Sequence, residues 1–322
     1  MSPRPVFDLN IKGRKVRLGE RTLVMAVLNV TPDSFSDGGR YFNPEKAVEH
    51  GLLLVREGAD WIDVGGESTR RGSESVPAEE ELRRVLPVIR SLRRKLPSIP
   101  ISIDTTKTLV AEKAVEAGAS VLNDISGLRF DPGMAGVARR YRTPLVLMHL
   151  RGRFETMHTM PFVSDIWRSL QSGLAWSLER ALTAGVRRSQ LILDPGLGFG
   201  KSRLQNYEVI SGLQKLERFG LPVLVGTSRK SFIQAVVAGG GLDGTGSKSS
   251  RRKIGPKAYW PMFENSKAQQ APALRVGDAA AVVASILGGA HIVRVHDVAG
   301  ILPAVRIADA LLAAGRLAKR RG

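Results

Sequence analysis

Asn29, Asp63, Asp104, Asn123 with Asp124, His149, Asp194, Ser228, and Arg294 with His296 each stand where a short apolar run gives way to polar or glycine residues. A single Asp or Asn in such a place also serves as a helix cap or a turn residue. Asp63 and Asp124 keep both readings, cap or ligand contact. A whole series of hydrogen-bonding groups at successive run ends is different, because it can converge on one rim and form a site.

Two chemical subsets emerge. Asp104, Asn123 and Asp194 offer carboxylates and an amide at the mouth of an apolar interior. A carboxylate there can accept two parallel N–H bonds from an aminopyrimidinone-like edge, and an amide can both donate and accept. Asn29, Arg70, Arg294 and His296 form a second subset of neutral and cationic donors suited to phosphate oxygens. Lys230 could serve either. No His/Glu cluster has zinc spacing, so the expected metal is Mg²⁺, held partly by substrate phosphates.

The elements that must position these groups repeat with one rhythm. Apolar runs at residues 23–30, 61–65, 99–104, 120–125, 145–150, 191–194, 221–226 and 291–296 are nearly continuous in apolar content, as in parallel strands covered on both faces. Between them lie helical periods at 44–57, 78–95, 107–117, 132–141, 165–184, 204–219, 231–237, 277–287 and 298–314. The segment 78–95 starts with Glu79-Glu80-Glu81 and ends with Arg93-Arg94-Lys95, matching the helix dipole. Strand–helix alternation of this kind predicts a single (β/α)₈ barrel, with catalytic groups at the C-terminal strand ends. An open doubly wound sheet would need a glycine-rich phosphate loop after its first strand, and Thr31-Pro32-Asp33 is not one. Residues 239–272 break the rhythm. They open on a glycine run, carry the basic stretch Ser247 to Lys253, and read as a flexible basic insertion between the seventh and eighth strands.

Composition bounds the reading. The chain has 322 residues, 43% hydrophobic, enough for a large core. It has no cysteines, which excludes disulfides and thiolate metal sites. No signal-like h-region or membrane-length apolar run is legible, residues 279–290 being the best, so a cytoplasmic enzyme without a membrane partner is expected. The net charge of +18 could attract nucleic acid, yet aromatics are only 6% and no nucleic-acid module is legible. A basic surface around a site for an anionic substrate explains the charge better.

The motifs themselves are familiar. Residues 28–39 read Leu-Asn-Val-Thr-Pro-Asp-Ser-Phe-Ser-Asp-Gly-Gly, and 63–70 read Asp-Val-Gly-Gly-Glu-Ser-Thr-Arg. Ile103-Asp104-Thr105, Leu122-Asn123-Asp124-Ile125, Leu147-Met148-His149 and the run from Asp194 to Lys201 follow. Ser228-Arg229-Lys230-Ser231 and Arg294-Val295-His296-Asp297-Val298 close the series. In order and spacing this resembles the dihydropteroate synthases, a pterin-binding barrel family of folate biosynthesis, from about residue 23 onward.

The resemblance implies a reaction and roles. In it, 4-aminobenzoate displaces diphosphate from 6-hydroxymethyl-7,8-dihydropterin diphosphate to give 7,8-dihydropteroate. Asn29 matches the Mg²⁺-binding asparagine. Asp104, Asn123, Asp194 and Lys230 match the pterin pocket, and Thr69, Arg294 and His296 match contacts to the diphosphate. Phe35, Arg70, Phe199 and Ser228 match positions near the aminobenzoate. Lys230, Arg294 and His296 are the expected catalytic set. A homodimer and a sulfonamide target are implied as well. Arg71 stands where the family carries proline, and the 239–272 insertion exceeds the family's length. Two other functions stay open at this stage: a methyltransferase-type pterin-binding barrel, and a non-catalytic paralogue binding an anionic partner.

Overall fold

Alternation along each strand decides what the barrel interior contains. The structure, a computed structural model, describes residues 4–31, 43–69, 73, 75–153, 156, 159–242 and 272–321. Strands β3 (Leu23–Asn29), β4 (Trp61–Gly65), β5 (Ile101–Asp104), β6 (Val121–Asp124), β7 (Leu145–Met148), β8 (Leu191–Asp194), β9 (Leu224–Gly226) and β10 (Ile292–Val295) form one parallel sheet in the order β8-β7-β6-β5-β4-β3-β10-β9. A parallel bridge between Leu193 and Val223 joins its two outer strands, with Leu193 N donating to Pro222 O at 2.9 Å. This is the expected (β/α)₈ barrel.

The surrounding helices are α1 (Pro44–Arg56), α2 (Ala78–Lys95), α3 (Thr108–Ala117), α4 (Met134–Tyr141), α5 (Ile166–Thr183), α6 (Arg203–Ser211), α7 (Ser231–Val237), α8 (Pro272–Leu287) and α9 (Val298–Arg321). Their starts follow local chemistry. Asn43 caps α1 through Glu45 N and Lys46 N, Asp165 caps α5 through Arg168 N, and Ser202 forms a capping box with Gln205 on α6. The single helix expected over 204–219 is two pieces. α6 ends at Gly212, where a Cβ would meet the Trp167 ring at 2.7 Å, and a 3₁₀ segment, Leu213–Phe219, continues.

Period-two alternation sends Ile62, Val64, Ile103, Leu122, Leu147, Leu193 and Val293 outward into the main core between sheet and helices. Their neighbours Met25, Trp61, Val121, Val146, Ile192, Leu224 and Ile292 turn inward and fill the lower barrel. An antiparallel hairpin absent from the sequence reading, β1 (Phe7–Ile11) with β2 (Arg14–Leu18), closes this lower end by adding Leu9, Ile11 and Leu18 to the same cluster. Its turn uses Lys12 at φ 49° and Gly13 at φ 82°, the left-handed pair a two-residue hairpin needs.

Among the described residues one helix, α9, has a window long and apolar enough to cross a membrane, Val298–Gly315. The sequence expectation concerned uncharged apolar runs, and Arg306 and Asp309 interrupt this window. Here Val298, Ile301, Val305, Ala308 and Leu312 are buried, while Asp309 accepts from Thr22 N at 2.8 Å and Thr22 Oγ1 at 2.7 Å. Most of the 239–272 insertion, residues 243–271, lies outside the described residues, as do Phe35, Arg70 and Arg71.

Candidate active site

Above the apolar lower layer, the same alternation points polar side chains into the barrel. Trp61 faces in, so Asp63 does; Val121 faces in, so Asn123 does; Ile292 faces in, so Arg294 does. The register sets Asp63 opposite Ser102, Gly65 opposite Asp104, and Asp104 opposite Asn123. Asp63, with 0% exposure, accepts on one oxygen from Arg294 Nε at 2.6 Å and from Asn123 Nδ2 at 2.9 Å. Arg294 Nη2 donates to Asp104 Oδ2 at 2.7 Å. The structure thus shows Asp63 as an interior residue that orients Asn123 and Arg294, which is neither the cap nor the ligand contact that the sequence left open.

Electrostatics follow from burial. Desolvation pushes the Asp104 carboxyl up to about 7, Arg294 opposing and Asp63 reinforcing the shift. Burial likewise raises Asp194, although Gly196 N–H donates to its Oδ1 at 2.7 Å and Lys230 and Lys201 lie near. Burial opposes the charge on Arg294, but Asp63 and Asp104 outweigh it and hold the guanidinium charged. Lys230 is lowered to about 8, first by burial and then by Arg294, with Asp194 and Asp104 pulling the other way. Its Nζ sits 4.3 Å from the centre of the Phe199 ring. Phe199 packs with Ile125, Met148 and Leu150, an apolar wall beside the polar set. A site with an apolar wall, two acids, an amide and two half-buried cations can take a flat heterocycle rich in N–H groups.

The second sequence subset is partly divided. Arg294 joins the Asp63–Asp104 side, between the two groups. His296 turns to the loop after β9, where its Nδ1 and its backbone N each lie 3.3 Å from Ser228 Oγ. Ser228 Oγ in turn donates to Asp278 Oδ2 of α8 at 3.3 Å, and Arg229 N donates to the same oxygen at 3.0 Å. Thr69 lies in the loop after β4 and Asn29 at the end of β3. Asn29 Oδ1 and Asp104 Oδ2 flank Gly65: each is 3.8 Å from the point where a Cβ on Gly65 would stand. Among the described residues no group of three His, Asp or Glu is placed to hold a metal. The donors around Gly65 are hard oxygens, one neutral and one anionic. Such a place fits Mg²⁺ only if diphosphate and water complete its shell.

Two rim residues leave the site. Asp124 follows the inward Asn123 and so turns outward, where it accepts from Ser126 N, Ser126 Oγ and Leu128 N at 2.6–2.8 Å. His149 follows the inward Met148 and packs its ring against α5; a Cβ on Gly173 would fall 2.6 Å from its Cδ2. Burial drives its pKa well down, so it stays neutral. Sequence reading passed over Lys201, whose Nζ donates to Gly196 O at 2.7 Å and Phe199 O at 3.1 Å and is lowered by burial to about 7. It braces the loop that carries Phe199. A lysine in a glycine-rich stretch was the available signal. Glu67, Glu81 and Lys107 were also missed, since they touch one another only across three separate segments.

Residues 25–296 match the family described as pterin binding enzyme. The dihydropteroate synthase of Synechocystis sp. is 42% identical over 294 residues, 91% of each chain. The structure of Xanthomonas albilineans dihydropteroate synthase with 4-aminobenzoic acid superposes with a TM-score of 0.79 at 37% identity, covering 96% of this chain and 99% of that one. The same enzyme in complex with 7,8-dihydropteroate gives 0.76 at 36% identity, covering 95% and 99%. The chain belongs to the pterin binding enzyme family, among its dihydropteroate synthases.

Proposed function

We propose that this barrel condenses 6-hydroxymethyl-7,8-dihydropterin diphosphate with 4-aminobenzoate, releasing diphosphate and forming 7,8-dihydropteroate. The observation that carries the reading is the inward polar set of Asp104, Asn123, Asp194, Lys230 and Arg294 beside an apolar wall, in a chain of this family. Asp104 and Asp194 accept from the pterin N–H edge, Asn123 is held by Asp63 to meet it, and Lys230 donates to a ring acceptor. These bonds fix the exocyclic methylene where the diphosphate leaves.

The reaction breaks the methylene carbon–oxygen bond and forms a bond from that carbon to the aniline nitrogen. The ring can delocalise positive charge developing at the carbon. The protein's task is to stabilise the leaving diphosphate and to hold the amine in line. Asn29, Thr69, Arg294 and His296 serve the first task. Phe199 and Ser228, with Arg70, serve the second. The anilinium formed on attack is acidic enough to lose its proton to solvent, so no dedicated base is required. Asn29 would hold Mg²⁺ together with diphosphate oxygens, and the ion would neutralise charge on the leaving group.

We further infer a homodimer built on α8 and α9. Val276, Ile307 and Leu311 are 70%, 62% and 48% exposed, large apolar side chains that a second copy would cover. A cytoplasmic setting accords with a chain that contains no cysteine. Diphosphate release from the pterin substrate, dependent on 4-aminobenzoate and accompanied by the mass of dihydropteroate, tests the activity; release without 4-aminobenzoate, or none, rejects it. Light scattering at several concentrations tests the dimer.

A further inference from the structure

Lys107 stands against a local rule. It is the N-cap residue of α3, with extended backbone and no capping side-chain bond, and a cation at a helix N-terminus opposes the helix dipole. Two carboxylates hold it there. Its Nζ is 2.6 Å from Glu81 Oε2 on α2 and 3.0 Å from Glu67 Oε1 in the loop after β4. Glu81 has no exposure at all, so without the lysine its charge would be buried alone. Burial raises the Glu81 carboxyl and Lys107 draws it back down, while the two glutamates lift Lys107 above its usual range against its own desolvation.

Glu67 is where this cluster reaches the loop. The oxygen that meets Lys107 also accepts from Val76 N at 2.6 Å and from Ser75 Oγ at 3.1 Å. The loop's first residues are pressed on α2. Arg84 Nη1 donates to Gly66 O at 2.9 Å, and a Cβ on Gly66 would fall 2.9 Å from Glu81 Cγ. Both ends of the segment 66–77 are therefore tied to one place, and Thr69 lies between the ties. Lys107 itself follows Asp104 by three residues on the β5–α3 connection, so one side chain links that connection to the loop.

We propose that Lys107 is a positioning residue: by pairing with Glu67 and Glu81 it holds residues 66–69, the start of the connection after β4, so that Thr69 meets the diphosphate of a pterin seated on Asp104. This rests on the dihydropteroate synthase reading and extends it to a cluster that touches no substrate. A bare scaffold role would lower stability and leave the kinetics of the folded enzyme alone. A positioning role separates the two halves of the substrate, because Asn123, Asp194 and Lys230 of the pterin pocket lie on β6, on β8 and after β9, away from the cluster.

The test uses the full chain with Lys107→Met, Lys107→Arg and Glu67→Gln. Lys107→Met should lower kcat/KM for the pterin diphosphate by about tenfold or more, with affinity for a phosphate-free pterin analogue held within about twofold. Lys107→Arg keeps the charge and should recover activity to within about threefold of the parent. Hydrogen exchange should quicken over residues 66–77 in Lys107→Met and stay as in the parent over β6 and β8. Glu67→Gln retains the acceptor for Val76 N–H, leaves Glu81 paired, and should move activity in the same direction if Lys107→Met does not fold. Folded variants with parental kcat/KM and parental exchange over 66–77, whatever their melting temperatures, would overturn the proposal. A parent inactive towards the pterin diphosphate, with exchange over 66–77 still quickened by Lys107→Met, would overturn the reaction and leave the clamp standing.

Discussion

Arg294 and Asp104 meet on the floor of the site, guanidinium Nη2 to carboxylate Oδ2 at 2.7 Å, and the two settle each other's charge. Burial raises the Asp104 pKa to about 7, with Arg294 opposing the shift. The pterin N–H edge requires the carboxylate. Affinity for a phosphate-free pterin analogue should therefore rise as pH increases through about 7 and level off above it. Arg294→Met removes the opposing positive charge and should move that midpoint upward. Calorimetric titrations on both sides of neutrality decide it: affinity independent of pH would reject Asp104 as the titrating acceptor.

Asp194 performs two tasks that a pair of substitutions can separate. One oxygen accepts the Gly196 N–H and shapes the turn after β8. The carboxylate charge, raised in pKa by burial, is what a ligand would justify. Asp194→Asn can keep the turn acceptor and should fold as the parent does, yet lose about 1.5–3 kcal/mol of pterin affinity, roughly tenfold to a hundredfold. Equal affinity in the asparagine variant would leave the turn as the residue's whole function.

Asn29 and the diphosphate should rise and fall together. Its Oδ1 and Asp104 Oδ2 each lie 3.8 Å from the point where a Cβ on Gly65 would stand, and among the described residues no group of three His, Asp or Glu is placed to hold a metal. Asn29→Ala should leave affinity for a phosphate-free pterin unchanged. It should raise the Mg²⁺ concentration required for half-maximal activity by about tenfold, the loss of one hard-oxygen ligand. Superimposable Mg²⁺ titrations of variant and parent would remove Asn29 from the metal's shell.

His291 connects the lower end of the barrel to acid stability. Its Nδ1 accepts from Val223 N at 3.1 Å and its Nε2 lies 3.0 Å from Pro5 O, with the Phe7 ring 5.2 Å away and tilted by 59°. Burial, aided by Arg4, lowers its pKa to about 4. A histidine depressed in the fold is protonated first in the unfolded chain. Its contribution is thus complete above about pH 6.5 and is lost as pH falls towards about 4, at a cost of about 3 kcal/mol. His291→Asn keeps an acceptor for Val223 N–H and cannot titrate. Its melting temperature should fall less steeply than the parent's between those limits, and parallel curves would exclude His291 as the cause.

The sequence alone carried the fold class and most of the site. Eight near-continuous apolar runs alternating with helical periods admit few architectures other than a closed barrel, and the run ends name Asp104, Asn123, Asp194 and Arg294, with Lys230 just after the seventh. It could not say which of two adjacent polar residues faces inward. Asn123 and Asp124, or Met148 and His149, differ by one step of the pleat, and only the packing of Val121 and Val146 in the lower core decides which one enters the barrel. The β1–β2 hairpin was illegible for a related reason: its polar half is exposed, and its apolar half matters only once there is an open barrel end to close. Pairings such as Asp63 with Arg294, 231 residues apart, and Glu81 with Lys107 arise where barrel closure or helix packing brings separate segments together. Burying those charges is favourable only when both partners arrive at one point, a condition met in three dimensions and invisible in the order of the residues.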